Sequence, residues 1–183
     1  MRRQQQLKKF KLTNKPTKMY QIDSESLLIG TEGGKIEHWS FSESVCKKVY
    51  DAHPESAAGI SSIVELQTTN ELLRGVETEA KFKLIATASE GSSEFRLWKL
   101  NDDTQELLPY LKIETTFTGG IKYLLETHDT QLAAANEQTI KFYDFIDKSQ
   151  RESHESMAKE KQELNEKMKT LFMELDTEKT LKL

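Results

Sequence analysis

One cysteine, Cys46, stands in 183 residues. An internal disulfide is thereby excluded, and a lone thiol fits a reducing compartment. No run of 18 apolar residues occurs, so no segment reads as a membrane-spanning helix. Met1-Arg2-Arg3 is not followed by an apolar stretch, which argues against a secretory signal. Chemistry-bearing motifs are missing as well. His38, His53, His128 and His154 are scattered, and none has a metal-ligand spacing to Cys46 or to another histidine. Ser61 and Ser62 lie in no Gly-x-Ser-x-Gly elbow. Gly30-Thr31-Glu32-Gly33-Gly34 lacks the Gly-Lys-Ser/Thr ending of a phosphate loop, and a hairpin turn accounts for its glycines. The expectation is a chain without catalytic residues, metal or cofactor.

Charge is unevenly spread. Residues 1–18 carry seven bases, among them Arg2, Arg3, Lys8, Lys9 and Lys11, and no acid. Residues 148–183 balance eight bases with eight acids, and the span between holds 11 bases against 22 acids. A basic arm (residues 1–15) beside an acidic body is expected to dock on that body or on an acidic partner. The arm is also Arg-led like a mitochondrial presequence, but it has no serine and no cleavage signal. Phe10 is its only aromatic, and an acidic body repels phosphate, which weighs against nucleic acid as a partner.

What is present is a repeat. Leu27 to Trp39 (LLIGTEGGKIEHW), Leu84 to Trp98 (LIATASEGSSEFRLW) and Leu132 to Tyr143 (LAAANEQTIKFY) each run from an apolar strand through a turn into an alternating strand closed by an aromatic. In the first unit, Lys18–Ile22 adds a preceding strand, and the lysine-bearing Val45–Tyr50 an exposed outer one. The polar stretch 68–80 reads as an insertion, a loop or short helix. It explains why Trp39 and Trp98 are 59 positions apart, while Trp98 and Tyr143 are 45 apart.

This pattern resembles the WD-repeat β-propeller family, whose repeat is about 40–45 residues and whose blades are four-stranded antiparallel sheets. The resemblance covers residues 16–147 and implies a mainly β fold of about three blades (16–53, 54–117 and 118–147). The Trp-Asp position of the family reads Trp39-Ser40, Trp98-Lys99 and Tyr143-Asp144 here. Its Gly-His position reads Ala52-His53 before the second unit and Gly119-Gly120 before the third. The family's turn aspartate falls on Gly33, Ser92 and Glu137, so its His, Ser/Thr, Asp and Trp tetrad is nowhere complete. The resemblance implies a partial tetrad of His53, Thr87 and Trp98, with Trp39, Trp98 and Tyr143 buried at equivalent positions. An unrelated antiparallel sandwich or barrel is the alternative fold.

From Lys148 to Leu183 Gly and Pro vanish, and strong helix formers take over. A charged amphipathic helix is expected from about 153 to 177. Its buried side would hold Met157, Leu164, Met168, Leu171, Phe172 and Leu175, spaced for one helical face. About two good heptads fall short of an independent coiled coil, so the helix should dock on a partner or on the body.

Three blades subtend too little of a ring to close, since propellers have four to eight. Their end faces should leave apolar surface open. The expected function is therefore a non-enzymatic scaffold subunit of a multi-protein assembly, its propeller completed by another chain or by an upstream portion. A propeller leading into a charged helix is similar in layout to large cytoskeletal scaffolds, ciliary and axonemal ones included, which implies a cytoplasmic setting. The alternative is an adaptor that holds an acidic peptide or RNA between blade loops and the basic arm.

Overall fold

The computed structural model describes residue 9, residues 11–70, 82–127 and 131–145, and the positions 156, 159, 163, 166 and 167. The chain divides into two compact units, Met1–Asn70 with Lys81–Asp144, and Glu71–Ala80 with Phe145–Leu183.

The first unit is built of three antiparallel sheets. Sheet 1 is a meander of β1 (Pro16–Gln21), β2 (Ser26–Thr31), β3 (Lys35–Ser40) and β4 (Val45–Asp51). Sheet 2 repeats the order with β5 (Ile60–Glu65), β6 (Phe82–Ser89), β7 (Glu94–Asn101) and β8 (Leu107–Glu114). Sheet 3 contains β9 (Tyr123–Glu126), β10 (Gln131–Ala135) and β11 (Ile140–Asp144). The fold class is thus mainly β, and three stacked antiparallel meanders form a partial, propeller-like arrangement.

Local chemistry sets these elements. Asp23 Oδ1 accepts from the Glu25 and Ser26 amides at 2.7 and 2.8 Å and turns the chain from β1 into β2. In the three-residue loop between β2 and β3 (Glu32-Gly33-Gly34), Gly33 and Gly34 have φ of 77° and 69°, left-handed conformations that glycine adopts at no steric cost. A side chain on Gly34 would also meet the His53 carbonyl oxygen at 2.1 Å, so this glycine serves both turn and packing. At the start of β1, Pro16 occupies an edge-strand position that lacks no ladder donor.

Successive sheets pack face to face. Ile22, Leu28, Ile36 and Tyr50 of the first sheet region share a core with Ile60, Ile63, Ile85, Trp98, Leu100 and Leu107 of the second. The approach is close enough that a Cβ on Gly30 would lie 2.5 Å from Ile60 Cβ. Thr17 Oγ1 donates to the Ile60 carbonyl at 2.8 Å, and the Tyr50 hydroxyl accepts from Leu107 N at 3.2 Å. Sheet 3 joins sheet 2 through Leu124 N, which donates to Ser62 Oγ at 3.2 Å, and through Ser61 Oγ, which donates to the Ile121 carbonyl. The two serines are thus structural ties. Residues 67–70 form a helical turn whose Thr68 and Thr69 amides donate to the Glu126 carboxylate at 2.9 and 2.8 Å.

Three expectations change. The third blade has three strands among the described residues, not four; its residues 146 and 147 lie outside them. Strand β3 does not alternate between buried and open positions: Ile36 to Ser40 are all buried. It is an inner strand, and Glu37 on its outward side is shielded by Asn14 and by Trp39, to which it is hydrogen-bonded. Tyr143 is half-buried, whereas Trp39 and Trp98 are buried, because it sits on the last strand of sheet 3 with no fourth strand beside it among the described residues.

Candidate functional site

The residues at the centre of sheet 2 form a buried hydrogen-bonded chain. Thr87 on β6 and Trp98 on β7 lie on the same side of the sheet, in the register that pairs Ile85 with Trp98 and Thr87 with Arg96. Trp98 Nε1 donates to Thr87 Oγ1 at 2.9 Å, and the same hydroxyl is 3.1 Å from His53 Nε2. A threonine hydroxyl has one proton and two lone pairs, so it accepts from the indole and donates to a neutral imidazole. His53 is brought there by the loop after β4: its amide donates to the Gly34 carbonyl at 2.8 Å. The structure therefore brings together His53, Thr87 and Trp98. It fills no fourth place, for His53 Nδ1 has no hydrogen-bond partner among the described residues. The same register puts Ile29 in sheet 1 and Ala134 in sheet 3 where Thr87 stands in sheet 2, and neither side chain can bond an indole.

With 1% of its surface exposed, His53 is held neutral. Burial and, next, the Arg96 charge push its pKa down to about 4, against the opposing charge of Glu94. His38, buried on β3, is lowered too, by burial and then by Lys47. The consequence for acid stability has a definite sign. Between pH 6.5 and about 4 the unfolded chain protonates His53 while the folded chain does not. Stability falls as pH drops through that window, by about 3 kcal/mol in all for His53. Melting temperatures from pH 7 to pH 4 should fall less steeply for His53→Gln than for the parent. Parallel slopes would contradict the assignment.

Two acids take roles that the sequence reading did not give them. Glu37 Oε2 accepts from Trp39 Nε1 at 2.8 Å, and Glu37 Oε1 accepts from Asn14 Nδ2 at 3.2 Å. Glu94, also buried, binds Arg96 through Nε and Nη2 at 2.9 and 2.7 Å, and Lys112 Nζ at 2.6 Å. Burial alone would raise the Glu94 carboxyl; Lys112 and Arg96 hold it below the usual carboxylate range. The signal for Glu37 was its place two residues before Trp39, within reach along one face of a strand.

The His53, Thr87 and Trp98 side chains are buried. What the first unit does present to solvent is an apolar sheet surface on sheet 3. On the far side of sheet 3, Tyr123, Leu125, Ile140 and Phe142 are exposed by 65, 65, 64 and 61%. They share one face with Ala133 and Ala135, as the pairs Leu125–Ala133–Phe142 and Tyr123–Ala135–Ile140 show. On the far side of sheet 1, Met19, Leu27, Ile29 and Trp39 line a groove of about 540 Å3, walled by Leu12 and Phe41. Sequence reasoning expected open end faces without naming these residues.

Of the basic arm, Lys9 and Lys11 are exposed, while Arg2, Arg3 and Lys8 lie outside the described residues. Leu12 and Asn14, which follow, reach the outer face of sheet 1. In the second unit, Ser156, Lys159, Glu163, Glu166 and Lys167 are helical and exposed. Their spacing marks one helical side. The set expected to face a partner, Met157, Leu164, Met168, Leu171, Phe172 and Leu175, lies outside the described residues. Among the described residues no group of three or more His, Cys, Asp or Glu is placed to hold a metal, and no helix is long and apolar enough to cross a membrane.

These features define a partial β-propeller-like stack with a buried His-Thr-Trp link and an exposed apolar face on sheet 3. No protein-family model matches the chain, and no curated protein does. Among solved structures it is similar to that of U3-55K, a WD40 β-propeller protein, at 21% identity and a TM-score of 0.43. That likeness covers 63% of this chain and 33% of the other, so the chain spans about a third of that structure's length.

Proposed function

We propose that this chain is a non-enzymatic scaffold subunit whose stack of sheets is completed by another polypeptide. The outer face of sheet 3 carries the reading. Four large apolar side chains stand there more than half exposed on one flat surface. Contiguous patches of this kind mark interaction sites on soluble proteins. At about 25 cal/mol per Å2, covering on the order of 400 Å2 contributes on the order of 10 kcal/mol before the costs of association. The titratable groups support the non-enzymatic part: His53 and Glu94 are buried and engaged in structural contacts. The helix of the second unit extends the scaffold role, docking on partners through Met157, Leu164, Met168, Leu171, Phe172 and Leu175.

The test is a substitution that spoils the face and spares the fold. Leu125→Asp with Phe142→Asp changes two side chains that the first unit leaves in water, so the melting temperature should move by no more than a few degrees. Native cross-linking should lose the partner captured by the parent chain. Undiminished capture by the double variant would refute this role for the face.

A further inference from the structure

We infer that the outer face of sheet 3 docks on the same face of a second copy of this chain, in a two-fold dimer whose side-chain rows interlock. This rests on the reading above and adds the identity of the partner. It follows from the relief of the face, its lack of charge and the area that two such faces cover.

Strand pairing fixes the relief. Leu125, Ala133 and Phe142 form one cross-strand row of the face, and Tyr123, Ala135 and Ile140 form the next. Side chains opposite one another on paired strands point to the same side of a sheet. Along the strands, β9 therefore raises a ridge of Tyr123 and Leu125, and β11 raises a ridge of Ile140 and Phe142. Between them β10 offers only the two alanines, so a valley runs between two ridges. Neighbouring strands lie about 4.8 Å apart, which sets the ridges roughly 10 Å apart and leaves room for one row of large side chains. The other side of the sheet is already used: Leu124, Leu132 and Ala134 are buried there, and Tyr143 packs on Phe95 of sheet 2 with ring centroids 5.0 Å apart.

A surface of this shape is complementary to itself. A two-fold axis can lie in the plane of contact, parallel to the strands and midway between β10 and β11. Rotation about it seats the Ile140–Phe142 ridge of each copy in the alanine valley of the other. Each seated ridge then has a ridge of its partner on either side. Facing sheets pack about 10 Å apart with interdigitating side chains and with strands within about 30° of alignment. An axis along the strands provides that alignment.

Charge and area agree with shape. The six side chains of the two rows are all uncharged, so two copies meet there without like-charge repulsion. Tyr123, Leu125, Ile140 and Phe142 are 61 to 65% exposed. Side chains of this size exposed to that extent offer on the order of 500 Å2 per copy. Two such faces cover about 1,000 Å2, the lower bound for a specific interface, so the dimer should exchange with monomer. A two-fold contact uses the same patch on both copies and closes at two.

The full chain at tens of micromolar should sediment at twice its 21.1 kDa mass and return to that mass on dilution. Two variants test the face. Leu125→Asp with Phe142→Asp puts a charge on each ridge and should be monomeric at every concentration. Ala133→Phe fills the valley while making the face more apolar. It should be monomeric too, because the partner's ridge no longer has a place to enter. If that variant fails to fold, Ala135→Leu in the next row of the same valley carries the same test. A folded valley variant that dimerises as well as the parent would overturn the inference, since plain apolar adhesion would then suffice. Dimers of the double aspartate variant, or a monomeric parent at tens of micromolar, would overturn it as well. With a monomeric parent, cross-linking of a different protein to the sheet 3 face preserves the scaffold reading, and its absence removes both.

Discussion

Trp98→Ala should lower the unfolding free energy by about 3–5 kcal/mol, the range for deleting a large buried aromatic. The indole lies in the core shared by sheets 1 and 2, with Ile85, Leu100 and Leu107 of its own sheet and the Tyr50 ring opposite. Truncation opens a cavity between two sheets and leaves Thr87 without its indole donor. Trp98→Phe keeps most of the apolar contact and loses one hydrogen bond, so its cost should be about 1 kcal/mol. Urea unfolding of the three proteins measures both numbers. Equal stability of the alanine variant and the parent would mean that the aromatic side of sheet 2 does not hold the stack together.

Glu94→Ala should cost a similar amount, about 3–5 kcal/mol, by a different route. The carboxylate is buried and compensates Arg96, whose side chain is four-fifths covered, as well as the more exposed Lys112. Removing it leaves a guanidinium in a place with little water and no counter-charge. The doubly substituted Glu94→Ala, Arg96→Ala protein should recover part of the loss, since no unpaired charge remains. Acid acts on the same group. Its carboxyl is held below the usual range, so its contribution is fully present above the ordinary carboxylate pKa and is lost as pH falls through the lowered value. A double variant no more stable than Glu94→Ala would place the cost in lost packing instead of stranded charge.

The strands were legible in the sequence because their signals are local. Alternation and the Gly33-Gly34 turn mark β2 and β3, and the polar turn at Ser92 and Ser93 marks β6 and β7. His53, Thr87 and Trp98 were legible only through family resemblance, since 34 residues separate the first two and no local pattern joins them. No local signal marked Glu37 as buried. Its burial depends on Asn14, 23 residues upstream, and on the indole it binds. The exposed face of sheet 3 was foreseen as a consequence of having too few blades. Its members could not be told from the buried face by composition, because Leu124 and Leu125 are the same residue type one position apart. Only the pairing of Leu124 with Ala134 and of Leu125 with Ala133 assigns them to opposite sides.

The meander order of the sheets also governs how the chain reaches its native state. Every ladder joins strands that are neighbours in sequence, β1 to β4, β5 to β8 and β9 to β11. Apart from the long connection between β5 and β6, these loops are short and cost little entropy to close, so the hairpins are local folding problems of the fast kind. The ties between sheets are of another sort. Tyr20 reaches Glu65 across 45 residues, Tyr50 reaches Leu107 across 57, and Ser62 reaches Leu124 across 62. Those long closures come after the hairpins they join, and docking of preformed sheets becomes the slow stage. Until it is complete, both sides of every sheet stand open in the way that the far side of sheet 3 still does afterwards.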